Sequence, residues 1–398
     1  MNLRIAIFTF NTEAQVFCCS CDKKESCGLG RKLLSYVSTD CVRSDFVEKF
    51  IEHIQRSNDG RLPDVFIINL QESSIKNPKK GFKSDQLLFA FRDCINKVSP
   101  NYSLVSEKLE GIGAEGIRGL RTGLIIDKNF DTKFNFLLYR PLFESKLKIS
   151  EGQHFGKGAI MLELQIESNG KKYHIHFINT HLPFLEKEKD QGKAIRDETI
   201  RETFASFQRK LKNDNSRHID KFVMGDLNYR IDFGTDNSAK NRFIDLIHKK
   251  ELVTANMDTF KIFDQLRSTL PAELHGFNEG IGNDGPNFLP TCKLEKKCPI
   301  TEQRTYQISK GRTARIPSWC DRILYLGRIT CLLYESFDAG TTCKSDHIPV
   351  IGLYDVQPFN QTSIQTLENP IQIGGEDPYY KKYLKYKQKY TNFQNMIE

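Results

Sequence analysis

The sequence predicts a layered α/β sandwich, two packed sheets covered by helices, over residues 1–356. Apolar runs of strand length recur along the chain, and segments with helical spacing lie between them. Two runs alternate apolar and polar residues on either side of Asn169-Gly170, which is a hairpin signal. Hairpins argue against an all-parallel sheet, and the strands are too many for one flat sheet.

In chain order, Leu3 to Phe10 reads as the first strand. Arg4 is its one charge, and no small-residue cleavage site follows, so it is not expected to be a secretion leader. Phe46, Phe50 and Ile54 repeat at helical spacing behind Ser44 or Asp45 as a cap. The continuous apolar run from Asp64 to Leu70 stops at Gln71-Glu72, as a buried strand would. Ile160, Leu162, Leu164 and Ile166 form one arm of the hairpin, and Tyr173, Ile175 and Phe177 form the other. A helix follows through Ile200, Phe204, Phe207 and Leu211, then a buried strand, Phe222-Val223-Met224, that stops at Gly225. A further helix covers Asn241 to Glu251, and two last strands run from Ile323 to Leu326 and from Ile348 to Leu353. Residues 357–378, rich in Gln, Asn, Pro and Gly, read as a linker. Residues 379–398 form a basic, Tyr-rich tail, either a solvated helix or an element that lies on an anionic membrane.

A net charge of +8 favours anionic partners, without choosing among phosphorylated small molecules, acidic lipid surfaces and nucleic acid. The longest apolar runs fall far short of the ~20 residues that span a bilayer, so a cytoplasmic protein without a span is expected. Eleven cysteines, an odd number without a regular framework, suggest reduced thiols. Cys18, Cys19, Cys21 and Cys27 cluster, but they lack paired Cys-x-x-Cys spacing and read as an ordinary loop.

Polar residues gather at the strand ends: Asn11, Gln71-Glu72, Asn179-Thr180-His181, and Gly225-Asp226-Leu227-Asn228. Trp319-Cys320-Asp321-Arg322 and Ser345-Asp346-His347 stand just before the last two strands. Any one of these could be a turn or a cap. Their joint occurrence points to a shared cleft. A carboxylate two residues from a carboxamide, as in Asp226 and Asn228, can hold and deprotonate a water beside a metal-bound phosphate. Cys320 sits beside Asp321 but lacks the Cys-x5-Arg spacing of a covalent cysteine phosphatase, so no phosphoenzyme is expected.

The ordered set Asn11, Gln71-Glu72, Asn179-x-His181, Gly225-Asp226-x-Asn228 and Ser345-Asp346-His347 resembles the endonuclease/exonuclease/phosphatase superfamily. More narrowly, Gly225 to Arg230 together with Arg315-Ile316-Pro317-Ser318-Trp319-Cys320-Asp321-Arg322-Ile323-Leu324 resembles the inositol polyphosphate 5-phosphatases. Phe277-x-Glu279-Gly280 and Phe288-Leu289-Pro290-Thr291-Cys292-Lys293 fill the interval, so the resemblance covers about residues 1–355 and leaves out the tail. It implies a four-layer α-β-β-α sandwich, DNase I-like, with a Mg²⁺-dependent site at one end. The implied reaction removes the 5-phosphate from inositol polyphosphates or phosphoinositides. A monomer is expected, with peripheral contact of the tail with anionic membrane and no nucleic-acid partner.

The resemblance places Glu72 and Asn11 at the metal, Asp226 as general base, and Asn228 on the water or a phosphate oxygen. It has His347 stabilise the scissile phosphate with Asp321 on its other N–H, while His181 and Asn179 contact the same phosphate from another side. Asp346 would support the loop or the metal shell. Lys293, Arg315, Arg322 and Lys157 fall where the family places phosphate-binding or supporting residues. Cys292 and Thr313 depart from the family's Tyr and Lys, which weakens the grip on a neighbouring phosphate, and Gly156 stands where the family has Asn. Two rivals remain: a nuclease of the DNase I or AP-endonuclease kind on the same fold, and a non-catalytic phosphoinositide-binding protein.

Overall fold

The computed structural model describes residues 2–12, 45–74, 86–109, 118–139, 157–168, 170–184, 189–211, 219–295, 305–307, 316–338 and 345–357. They belong to a compact unit, Met1–Pro358. The cysteine cluster at 18–27, Gly156, Thr313, Arg315, the linker beyond 357 and the tail lie outside the described residues.

The described elements are β1 (Leu3–Asn11), α1 (Asp45–Ser57), β2 (Val65–Ser74), α2 (Gln86–Val98), β3 (Tyr102–Leu109), β4 (Arg118–Asp127), β5 (Asp131–Tyr139), β6 (Gly158–Ser168) and β7 (Lys171–His181). There follow α3 (Lys189–Lys210), β8 (Asp220–Asp226), α4 (Asn237–His248), α5 (Thr254–Lys261), α6 (Gln265–Ser268), β9 (Asn278–Glu279), β10 (Asp321–Leu326), β11 (Ile329–Ser336) and β12 (Val350–Val356). They build two six-stranded sheets, ordered β11-β12-β1-β2-β4-β3 and β5-β6-β7-β8-β10-β9. In each sheet the central pair is parallel, β1 with β2 and β7 with β8. The flanking strands are antiparallel.

Alternation along these central strands explains the layers. Ile5 and Ile7 of β1 point toward the facing sheet and meet the core that holds Phe177 and Phe222, while Ala6, Phe8 and Phe10 point outward. Phe8 is fully buried against Phe46 and Phe50 of α1, at ring-centroid distances of 5.9 and 5.4 Å, and against Phe91 of α2 at 5.1 Å. Truncating it to Ala would cost about 3–5 kcal/mol. On the far side, Val223 and Ile178 face Ile200 and Phe207 of α3. Buried on both faces, the central strands read as continuous apolar runs, which is why they were legible.

The sequence located some boundaries imperfectly. The helix expected at Asn241 starts at Asn237, because Asp236 caps it by accepting the Ala239 N–H at 2.9 Å. The last strand starts at Val350 rather than Ile348, since Pro349 has no N–H for a ladder. Helix α3 begins with a polar stretch at Lys189 that apolar spacing does not reveal. Among the described residues, no helix is long and apolar enough to cross a membrane.

Candidate active site

The C-terminal ends of the two central parallel pairs lie at one end of the sandwich, and the polar strand-end residues meet there. Gly225 is needed for this. Its φ is +126°, and a Cβ would sit 2.0 Å from the Thr180 carbonyl oxygen. The close approach of β8 to β7 sets His181 level with Asp226, and antiparallel β10 sets Asp321 on the other side of Asp226. In the facing sheet a β-bulge interrupts β2 between Leu70 and Ser73, and Glu72 adopts φ +49°. Bulges re-aim side chains, and this one brings Glu72 Oε1 to 3.8 Å from His181 Nε2.

The loop after Asp226 is pinned to its surroundings. Leu227 N donates to Cys320 O at 2.7 Å, and Ile231 N donates to Ser318 Oγ at 3.0 Å. Tyr229, fully buried, donates its hydroxyl to Asp197 at 2.7 Å and lies beneath the Arg196 guanidinium at 5.2 Å.

Asp226 is the hub of the cluster. Its Oδ2 accepts from Asn11 Nδ2 at 2.9 Å and lies 3.2 Å from His181 Nε2; its Oδ1 accepts the Asn228 backbone N–H at 3.0 Å. Burial alone would raise its pKa, but the hydrogen bond and charge of His181, with His347 and Lys157 behind it, hold it well below the carboxylate range. His347 Nδ1 faces Asp321 Oδ2 at 2.8 Å, and Thr291 Oγ1 donates to the same oxygen at 2.8 Å. Burial opposes charge on His347, but Asp321, then Asp226 and Asp346, outweigh it and hold the imidazolium well above its ordinary pKa. Ser345 fixes the loop by donating to Asn11 O at 2.6 Å and accepting the His347 N–H at 3.1 Å. The cluster thus presents one ionised carboxylate facing at least one retained imidazolium.

The remaining expected residues divide into two groups. Lys157 reaches His181 Nε2, and Lys293 ion-pairs with Asp346, so both cations stand at the cleft. Asn228 gives Nδ2 to Leu182 O at 2.9 Å and accepts from Arg230 at 2.6 Å. Two placements differ from the expectation. Asn179, fully buried, accepts from Gln71 Nε2 at 2.7 Å and donates both amide hydrogens to Arg121 O and Thr122 Oγ1 at 3.0 and 3.1 Å. Its carboxamide ties the two sheets together and has no hydrogen left for a phosphate. Arg322 is also fully buried, bidentate to Glu279 at 2.5 Å and bonded to Asp264 at 2.8 Å. It faces away from the cleft because neighbouring residues of a strand point to opposite faces.

Arg230 was not singled out from the sequence, although it ends the Gly225–Arg230 motif. Its guanidinium lies 4.4 Å from the Phe184 ring centroid and donates to Asn228 Oδ1 and to Cys292 Sγ at 3.1 Å. Thr291 was also passed over. A Thr beside a site has no periodic signature, and only the approach of β10 reveals its bond to Asp321.

For a divalent cation the donor set is sparse and hard. Among the described residues no three His, Cys, Asp or Glu side chains cluster as a metal site. The Glu72 carboxylate and the Asn11 carboxamide nevertheless converge on the Asp226–His181 pair. One carboxylate and one amide suit Mg²⁺, which keeps several waters and takes phosphate oxygens from its substrate, so the residues fit that ion.

The sequence model of the Endonuclease/Exonuclease/phosphatase family 2 matches residues 37–353. A Schizosaccharomyces pombe protein named "Probable inositol polyphosphate 5-phosphatase" is 22% identical over 391 residues, covering 89% of this chain and 29% of that protein. The human phosphatidylinositol 3,4,5-trisphosphate 5-phosphatase 1 is 28% identical over 218 residues, 52% of this chain and 16% of its own length. The chain thus spans less than a third of these relatives. Among solved structures, the inositol polyphosphate 5-phosphatase domain of SpSynaptojanin, in complex with inositol (1,4)-bisphosphate and calcium ion, superposes with a TM-score of 0.55 at 18% identity, covering 89% of this chain and 84% of that one. A Cimex nitrophorin, solved as a ferrous NO complex, superposes at 0.50 and 17% identity, covering 89% and 99%. The fold therefore carries more than one function, and the side chains must decide.

Proposed function

The chain belongs to the Endonuclease/Exonuclease/phosphatase family 2, and from that premise we propose that it is a Mg²⁺-dependent phosphomonoesterase. It removes the 5-phosphate from inositol polyphosphates or phosphoinositides by direct attack of water. The observation that carries this reading is the placement of ionised Asp226 beside its strand partner Asp321, which in turn holds His347. The 5-phosphatase relatives support the substrate class.

In this reading Asp226 takes the proton of the attacking water. Its low proton affinity keeps it in the accepting form, and the negative phosphate raises that affinity once substrate is bound. His347, kept charged by Asp321, donates its Nε2 hydrogen to a phosphoryl oxygen and stabilises the charge that builds there. His181 with Lys157 approaches from the other side, and Lys293 and Arg230 face the remaining phosphates of a polyanion. Asn11 and Asn228 hold Asp226 in place, and Asn179 holds β2 against β7. Mg²⁺, when bound by Glu72 and Asn11, supplies neutralisation of phosphate charge and of the leaving oxygen. Residues 1–356 form the catalytic unit, joined by the linker to a tail that contacts anionic lipid.

Phosphate release should be measured on a panel of inositol phosphates and phosphoinositides, with Mg²⁺ or EDTA, for the full chain and for a chain ending at Val356. Release that EDTA abolishes and that Asp226→Ala lacks is the expected result. No release, or equal release by Asp226→Ala, sinks the proposal. Faster cleavage of duplex DNA than of any inositide makes the protein a nuclease, and tight inositide binding without turnover makes it a binding protein.

A further inference from the structure

Cys292 and Cys320 are buried side by side, and the proposed hydrolysis uses neither. Their Sγ atoms are 3.0 Å apart, and Arg230 Nη1 donates to Cys292 Sγ at 3.1 Å. The backbone explains the approach. Cys292 pairs in antiparallel bridges with Ser318 on one side and His347 on the other, and Cys320 lies two residues beyond Ser318 on the same face. The two thiols therefore sit between the elements that carry Asp321 and His347. Cys292 stands where the resemblance would have a Tyr, so the pair is a feature of this chain.

We propose that Cys292 and Cys320 form an oxidation site for hydroperoxides, a dithiol that closes to a disulfide and slows the active site. Cys292 is the attacking sulfur. Burial works against its thiolate, but the hydrogen bond from Cys320 and the charges of Arg230 and His347 bring the thiol down to about 7. The Cys320 thiol is raised well above its ordinary value by burial and by Cys292. In the first step the Cys292 thiolate attacks the terminal peroxide oxygen: an S–O bond forms, the O–O bond breaks, and hydroxide leaves from hydrogen peroxide, or the alkoxide from an organic hydroperoxide. In the second the Cys320 sulfur attacks the sulfenic sulfur: the S–S bond forms, the S–O bond breaks, and the hydroxide departs as water with the Cys320 proton. Two electrons pass from the thiols to the peroxide.

Closure from 3.0 Å to a bond of about 2.05 Å needs about 1 Å of approach. That movement draws the Cys292 strand segment against β10 and strains the Asp321–His347 pair from both ends. It also removes the thiolate that Arg230 holds, which frees that cation to reorient.

The test treats the fully reduced chain with hydrogen peroxide, blocks residual thiols, digests, and maps cross-links by mass. A Cys292–Cys320 linked peptide pair, two hydrogens lighter than the reduced pair and cleaved by dithiothreitol, is the expected product. It should form before Cys331 reacts, since burial pushes that thiol up to about 12. Turnover of the linked chain should fall at least fivefold and return with dithiothreitol, and Cys292→Ser and Cys320→Ser chains should lose both the link and the peroxide sensitivity. Failure to find the link once the half-buried Cys94 is fully oxidised overturns the proposal, as does unchanged turnover in fully linked protein. The link is read by mass, so its outcome stands apart from whether the chain hydrolyses inositides.

Discussion

Two buried clusters of charge sit on either side of β10 and share that strand, Asp321 serving one and Arg322 the other. Around Arg322 the account is closed: Glu279 takes two of its donors, Asp264 takes a third, Trp319 O takes a share at 3.3 Å, and Tyr334 donates to Glu279 at 2.7 Å. Around Asp321 it is open. Among the described residues Asp321 Oδ1 is buried without a hydrogen-bond partner; against burial, His181, His347 and Lys157 hold the Asp226 pKa down, and Asp321, Asp226 and Asp346 hold that of His347 up. The same strand thus carries one cluster whose ions are tied to one another and one whose charges are poised toward an incoming anion. Satisfied ions fix structure, and incompletely balanced ions do chemistry.

This contrast can be broken from either side. Asp226→Asn should lower phosphate release by about 10³- to 10⁴-fold while the thermal midpoint moves only a few degrees, because the loss is of a proton acceptor. Retained turnover would remove Asp226 from the reaction. Arg322→Leu should destabilise the chain by about 3–5 kcal/mol in urea unfolding, because it leaves Glu279 and Asp264 buried without a counter-charge. A loss under about 1 kcal/mol would mean the node is not structural.

Asp321→Asn sharpens the comparison through pH. His347 is held charged well above its ordinary value chiefly by Asp321 against burial, so its useful charge persists as pH rises past 6.5. Without that partner the alkaline limb of kcat should move toward neutrality, with about a tenfold loss at pH 8.5 and a smaller one at pH 6. A pH-independent loss would assign Asp321 a purely steric part.

The smallest effect concerns Asp220, at the opposite end of β8 from Asp226. Burial raises its pKa to about 6 from 3.8, against the Arg328 N–H bond at 2.9 Å and the Arg328 charge. The folded state then binds the extra proton between those two values. Stability therefore falls as pH rises through that window, and the ionised carboxylate remains a cost above it. Asp220→Asn keeps an acceptor for Arg328. It should flatten the dependence and stabilise by about 1–2 kcal/mol at pH 7 in urea unfolding. An unchanged pH profile would place the carboxylate in contact with water.

Much of the fold was legible because its central strands are buried on both faces. Leu3 to Phe10, Val65 to Leu70 and Phe222 to Met224 could hardly be anything but core strands. Strands β3, β4, β5 and β11 and helix α2 gave weaker signals and were not assigned. In β5 only Tyr139 is buried, which leaves little apolar pattern to read. In the site, Asp226, His181, Glu72, Asn11, His347 and Asp321 were recognised as a set from their places after or before strands, and the chain brings them together. Asn179 and Arg322 carried the same kind of signal yet face the interior, since sequence position at a strand end does not say which face a side chain takes.

The sequence by itself determined which strands form the core, that polar residues collect at their ends, and the family to which that collection belongs. Those properties are local: apolar runs, a glycine before an acid, a short ordered motif. Only the tertiary structure decided which charges pair in the interior and which remain poised, and that Cys292 meets Cys320 and Arg230. Such choices depend on strand register, and shifting register by one residue moves every side chain to the other face.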